Sequence, residues 1–261
     1  MYATERQELI ERILIDDGRV GVLDLARRFD VTTETVRRDL LTMEQGGTLR
    51  RVHGGAVALE RPSTTEPSIA DRSHRRSSAK QAIARRAIEA IGEGFTGSVF
   101  FDAGTTTAAV ADQLPLRLAA VRGAAEVVTH SLSIAHALAD VDSVSLSIVG
   151  GRIRGVTAAA VGADTVHAIE TLRPDIAYVG VNGLSHAFGA STPDPEEAAV
   201  KRAVVRSARR VIVVADQTKF GRELLVSFAA LSAMDVLVTD AAPTAPLASA
   251  LNDVGVEVWC A

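Results

Sequence analysis

Between residues 98 and 259, seven short runs rich in β-branched and apolar residues (SVFFD, EVVTH, VSLSIVG, DIAYVG, RVIVVAD, DVLVTD and VEVW) alternate with stretches of helical patterning. A run that is apolar throughout must be buried on both faces, and strands joined through helices lie parallel. The alternation therefore predicts an α/β fold with a mostly parallel sheet covered by helices. Ligands of such sheets sit at the carboxyl ends of the strands. The segments found there are small, polar and glycine-rich: Asp102-Ala103-Gly104-Thr105-Thr106-Thr107, Thr129-His130-Ser131, Gly150-Gly151-Arg152, Gly180-Val181-Asn182-Gly183 and Asp216-Gln217-Thr218-Lys219. A helix opening after Gly104 offers backbone N–H groups together with the hydroxyls of Thr105, Thr106 and Thr107, which is the composition of an anion cradle. Arg152 and Lys219 add positive charge, and Asp102, Asn182 and Asp216 can hydrogen-bond sugar hydroxyls. Singly, each has a plainer role: an ion pair for Arg152, a helix cap for Asp102, solvent exposure for Lys219. What unites them with Ser131 and Gly183 is one shared rim.

Residues 20 to 57, VGVLDLARRFDVTTETVRRDLLTMEQGGTLRRVHGGAV, read as a winged helix-turn-helix. Leu23, Leu25, Ala26 and Phe29 form the stripe of a short helix, and Asp30-Val31-Thr32 a tight turn. A second helix follows with Thr32 as N-cap, Glu34 in its first turn, and Val36, Leu40 and Met43 inward. That burial turns Thr33, Glu34, Arg37 and Arg38 outward, where an arginine can fork onto a guanine edge or hold a phosphate of double-stranded DNA. The run TLRRVHGGAVAL predicts two strands around a Gly54-Gly55 turn, with Arg50, Arg51 and His53 near its tip. Upstream, Thr4 to Gln7 read as a capping box, Leu9, Ile10, Ile13 and Leu14 as an apolar face, and Gly18 as a helix stop.

At 261 residues and 47% hydrophobic, the chain can bury a sizeable core. The expected division is a DNA-binding head at 1–59, a linker and connecting helix at 60–91, and a larger domain at 92–261. The formal net charge of −4 means that attraction to DNA must be local. Residues 72–86, RSHRRSSAKQAIARR, carry six Lys/Arg and no Asp/Glu, and predict a helix over 71–91 whose basic start can lie near phosphate or simply face solvent. One cysteine, Cys260, excludes an intramolecular disulfide and a cysteine-rich zinc site, and neither metal nor cofactor is expected. No apolar run approaches the roughly 20 residues of a membrane span, so a soluble, cytoplasmic protein is expected.

The segment TTETVRRDLLTMEQGGTLRRVHGGAV resembles the head of the DeoR family of bacterial transcription regulators. Thr35, Val36, Arg37, Arg38, Asp39 and Leu40 fill one family run, and Arg51, His53, Gly54, Gly55 and Ala56 fill the wing run. The segments FDAGTTT, VTHSL, VGGRIR, VGVNGL, STPDPEEAAVKRAVV and VADQTKFGR are similar to the family's effector domain, whose fold is like that of ribose-5-phosphate isomerase and which binds phosphorylated sugars. The resemblance implies that Thr105 to Thr107 meet phosphate and that Asp102, Asn182 and Lys219 line the sugar pocket. Many members carry Asp where this chain has Asn182, and Asn where it has His130; an amide at 182 favours binding over isomerase-like acid–base chemistry. The GVNG form, with this head, looks most like the fructose-operon repressors of high-GC Gram-positive bacteria, which implies fructose 1-phosphate as effector; a homodimer or homotetramer is the expected assembly, so that two recognition helices meet successive major-groove faces. The expected function is a repressor whose operator affinity is lowered by the sugar phosphate. Two other readings are a sugar-phosphate enzyme with a helical appendage, which needs a positioned base, and an architectural DNA-binding protein, which needs no ligand.

Overall fold

The computed structural model describes residues 2–58 and 63–261, in two compact units, Met1–Pro62 and Ser63–Ala261. The head contains α1 (Ala3–Asp17), β1 (Arg19–Gly21), α2 (Val22–Phe29), α3 (Thr33–Gln45), β2 (Leu49–Val52) and β3 (Gly55–Ala58). Helix α1 begins earlier than its Thr4 to Gln7 pattern predicts, because the Glu5 carboxylate accepts from the Tyr2 N–H at 3.1 Å and closes the end there. Gly18 ends it in the left-handed conformation (φ 74°), which costs a glycine nothing. Ile10, Leu14, Leu25, Val36, Leu40 and Met43 meet in one apolar cluster. Leu23 is 68% exposed: because α2 starts at Val22, the inward positions fall on Val22, Leu25 and Ala26.

The wing differs from its prediction in one respect. His53 and Gly54 (φ 80°) make the turn, whereas Gly55 is the first residue of β3, and a Cβ there would stand 1.9 Å from the Val20 carbonyl oxygen. Its missing side chain admits β1 into a three-stranded antiparallel sheet of order β1-β3-β2.

In the second unit come α4 (Ile69–His74), α5 (Ser77–Ala87), β4 (Ser98–Phe101), α6 (Thr105–Val121), β5 (Ala125–Thr129), α7 (Leu132–Leu138), β6 (Val144–Ile148), β7 (Arg152–Arg154) and β8 (Ala159–Val161). They are followed by α8 (Ala163–Glu170), β9 (Ile176–Gly180), β10 (Gly183–Ser185), β11 (Gly189–Thr192), α9 (Pro195–Ser207), β12 (Val211–Val214), β13 (Val226–Ala229), β14 (Val236–Thr239), α10 (Ala245–Asp253) and β15 (Glu257–Cys260). The seven predicted runs form one parallel sheet, β15-β14-β12-β9-β4-β5-β6. Alternate residues face opposite layers. Phe101, Tyr178 and Ile212 join Ile83, Leu114 and Leu118 on one side, while Phe100, Val179 and Val213 join Val200, Val204 and Leu247 on the other. A hairpin, β7-β8, and a small antiparallel sheet, β10-β11-β13, complete the unit.

The connecting segment folds as two helices rather than the one expected over 71–91; the first residues assigned to the linker, 60–62, lie outside the described residues. The break falls at Arg76 (φ 53°). There the Lys80 ammonium turns back onto the carbonyls of Arg72 and of Arg75, the latter at 2.7 Å, satisfying acceptors that a continuous helix would have used internally. Arg76 pairs with Asp240 at 2.5 Å. Among the described residues no helix is long and apolar enough to cross a membrane.

Candidate functional site

In the head, the Thr32 hydroxyl caps α3 by accepting from Thr35 N at 3.2 Å, and the two hydroxyls lie 2.9 Å apart. The cap orients the first turn, which leaves Glu34, Arg37 and Arg38 exposed and Thr33 and Thr35 half-buried. Arg37 makes only a loose pair with Glu34 at 3.7 Å, so its guanidinium keeps most of its donors for another partner. On the wing, Arg50, Arg51, His53 and Gly54 are exposed, and Glu44 braces Arg51 by accepting from its backbone N–H at 2.8 Å. Gly55 is buried within the sheet. Behind α3, Asp39 is held by Arg6 through Nε (2.5 Å) and Nη2 (3.0 Å).

In the larger unit the strand order reverses between β4 and β9: the chain runs outward through β5 and β6, then returns to β9 and proceeds through β12, β14 and β15. Crevices open at such reversals. Asp102, directly after β4, is wholly buried there. One of its oxygens accepts from Gly180 N at 2.9 Å and from the Lys201 ammonium, and Lys201 also reaches the Gly180 carbonyl at 3.0 Å. The other oxygen faces His130 Nε2 at 3.2 Å, while His130 Nδ1 donates to the Ala160 carbonyl at 2.9 Å. Burial by itself would push the Asp102 carboxyl up; the Lys201 ammonium and the His130 ring overcome that and hold it below the usual carboxylate range. Asp102 thus ties β4 to β9 and α9 instead of opening into the pocket as expected.

The other rim residues divide in the same way. Gly104, Thr105 and Thr106 are half-buried at the start of α6, whose first turn has neither a side-chain cap nor an acidic residue. Thr107 is buried and donates its hydroxyl to the Gly104 carbonyl at 2.9 Å. Ser131 is buried as the N-cap of α7. Arg152 is 60% exposed and paired with Glu196, the plainer of its two expected roles. Gly183 lies in β10, where a Cβ would meet the Arg222 carbonyl oxygen at 2.4 Å, so it serves a backbone approach. Asn182 accepts from the Thr192 hydroxyl at 3.1 Å and donates to the Glu66 carboxylate at 3.2 Å.

Lys219 is half-buried in a 3-10 turn that Asp216 caps from Thr218 N. Burial pushes its ammonium down, against the raising influence of Asp216, and Arg222, Arg72 and Arg75 push it down further. Lys80 is pushed down to about 8 by burial and by Lys219. Lys80 and Lys219 thus share the Asp216 carboxylate, while Arg72 is met by Glu66 at 3.2 Å.

Lys201, Glu66 and Arg154 form buried ion pairs that the sequence reading passes over, whereas Arg72 and Lys80 lie in the basic run 72–86 that it singles out. Lys201 had a legible trace: it lies on the stripe of Ala198, Val200 and Val204 that α9 buries, and a lysine on an apolar stripe requires a distant carboxylate.

Residues 6–62 match the DeoR-like helix-turn-helix domain, and residues 75–241 match the DeoR C terminal sensor domain. The chain is 34% identical over 256 residues to the HTH-type transcriptional regulator GlpR of Haloferax volcanii, covering 98% of this chain and 96% of the relative. It is 32% identical to the glycerol-3-phosphate regulon repressor of Escherichia coli K12, covering 97% of each. It is also 32% identical to an uncharacterized HTH-type transcriptional regulator, FruR, of Bacillus subtilis, covering 92% of each. Among solved structures, ribose 5-phosphate isomerase A of Methanocaldococcus jannaschii aligns over 57% of this chain and 56% of its own, at 14% identity and a TM-score of 0.42.

Proposed function

The chain belongs to the DeoR family of transcriptional regulators, and from that premise we propose that it represses a sugar-utilisation operon and leaves its operator when a phosphorylated sugar, fructose 1-phosphate in the narrower reading, fills the crevice between β4 and β9. The observation that carries the ligand assignment is the pair of buried lysines, Lys80 and Lys219, that share Asp216 with Arg75 beside them, next to Arg72, whose Nε and Nη2 are buried without an acceptor among the described residues. A phosphate dianion supplies that acceptor, and the uncapped start of α6 adds N–H donors. Binding is favoured over turnover because the acid–base groups are committed: Asp102 is sealed under Lys201, and position 182 offers an amide.

As a dimer or tetramer, the protein would set pairs of α3 helices into major-groove faces about 34–36 Å apart, and the effector would bind the form with incompatible spacing more tightly. A hundredfold loss of operator affinity needs about 2.7 kcal/mol of coupling between the two sites.

For the head, Arg37→Ala and Arg38→Ala are each expected to weaken operator binding by about 1–3 kcal/mol with relaxed sequence preference. Electrophoretic mobility shifts on operator and scrambled DNA check this. A uniform loss on both DNAs assigns the arginine to phosphate, and unchanged binding in both variants removes α3 as the reading helix.

For the sensor, Lys219→Ala and Thr106→Val are expected to leave the protein folded and operator-bound but about ten- to hundredfold less responsive to fructose 1-phosphate, since each removes a donor to a dianion. Fluorescence anisotropy of labelled operator during titration tests it: release at the wild-type concentration would place the pocket elsewhere.

A further inference from the structure

The segment leading from the head into the sensor carries a carboxylate into the sensor's own polar crevice. Glu66 has a side chain only 2% exposed, and it meets Arg154 at 2.6 Å, Arg72 at 3.2 Å and the Asn182 amide at 3.2 Å. The segment is pinned on either side of it: Leu225 N donates to the Ser63 carbonyl at 3.2 Å, and Ile69 N donates to the Val156 carbonyl at 2.9 Å. Arg72 keeps two buried donors, Nε and Nη2, without a hydrogen-bond partner among the described residues. Arg154 is shared by Glu66, Asp194 and Glu197, but the two buried Arg72 donors lack an acceptor, which a phosphate with three oxygens can supply.

We propose that Glu66 is the resident occupant of an anion subsite formed by Arg72, Arg154 and Asn182, and that a phosphate monoester binds there by displacing it. The inference rests on the sensor reading above and deepens it. Asn182 Nδ2 donates one N–H to Glu66, and a phosphate held by Arg72 competes with the carboxylate for the same donors. Two anions in one buried space repel strongly at low effective dielectric. Arg154 tolerates the exchange, because Asp194 at 3.2 Å and Glu197 at 3.1 Å remain its partners. Displacement frees the stretch from Ser63 to Ile69 from the sensor unit, so a ligand-bound sensor and a plugged sensor differ in the order of this segment.

The test uses the full-length protein and Glu66→Gln, with fructose 1-phosphate, glycerol 3-phosphate and inorganic phosphate as probes in calorimetric titrations. Removing the competing charge is expected to tighten anion binding about tenfold, the worth of one charge-assisted hydrogen bond. Hydrogen–deuterium exchange of wild type should show residues 63–70 exchanging faster when the probe is bound, a readout that holds even if the variant folds poorly. Unchanged or weaker binding by the folded variant overturns the displacement while leaving the sensor intact. Unchanged or slower exchange of 63–70 in ligand-saturated wild type overturns it equally. If neither protein binds any of the three probes, the sensor reading itself fails and the displacement falls with it.

Discussion

Lys201→Met is expected to destabilise the sensor unit by about 3–5 kcal/mol, the cost of leaving a buried charge without its partner. Methionine nearly matches the lysine stem in volume, so the loss reports charge and not a cavity. Asp102 has no exposed surface, and without the ammonium it keeps only the Gly180 N–H and the His130 ring. It must then stay ionised at high cost or take up a proton. The double variant Asp102→Asn/Lys201→Met is expected to recover much of the loss, because an amide needs no counter-charge. Urea unfolding of the three proteins, followed by circular dichroism, decides the matter. A single-variant loss below about 1 kcal/mol, the range of exposed pairs, would show that the buried pair does not hold β4 to α9.

Asp39→Ala is expected to unfold or nearly unfold the head and abolish operator binding, although Asp39 is buried and cannot touch DNA. It takes both Asp39 oxygens from the Arg6 guanidinium, 7% exposed behind α3, at about 3–5 kcal/mol. A unit of some sixty residues holds only roughly 3–9 kcal/mol in total. The apolar pair Arg6→Met/Asp39→Leu is expected to be far less harmful, since it removes both charges together. Thermal unfolding alongside anisotropy separates this from Arg37→Ala, which should lose DNA and keep its melting transition. A folded Asp39→Ala head that still binds operator would remove the pair from the architecture.

The parallel sheet was legible because its inner strands β4, β9, β12 and β14 are apolar runs buried on both faces, while the outer β5, β6 and β15 keep enough β-branched and aromatic residues to be read. Strands such as β10 (GLS) and β11 (GAST) were not. Three or four small residues have no period to read, and they pair because Gly183 and Gly189 let neighbouring backbone in. The same limit accounts for Gly55. A glycine pair in a wing suggests a turn, yet only the arrival of β1 shows that the second glycine serves the sheet.

Local spacing alone determined the head's reading helix, its Thr32 cap, the exposure of Arg37 and Arg38, and the placing of the polar segments at strand ends, since each depends on neighbours within a turn or a pleat. Only the tertiary structure decided which charges meet. Arg6 finds Asp39 across 33 positions, Lys201 finds Asp102 across 99, and Arg154 finds Glu66 across 88. Sequence spacing carries no trace of such pairings, because a charge shows its type and not its partner. The partner is set by strand order and helix placement, which bring distant segments to one edge. There, desolvation makes an unpaired charge so costly that each must be matched. Asp102, Thr107 and Ser131, expected at the rim, are therefore found buried with partners inside the fold, while Glu66, unremarkable in a linker, is found buried against Arg72 and Arg154.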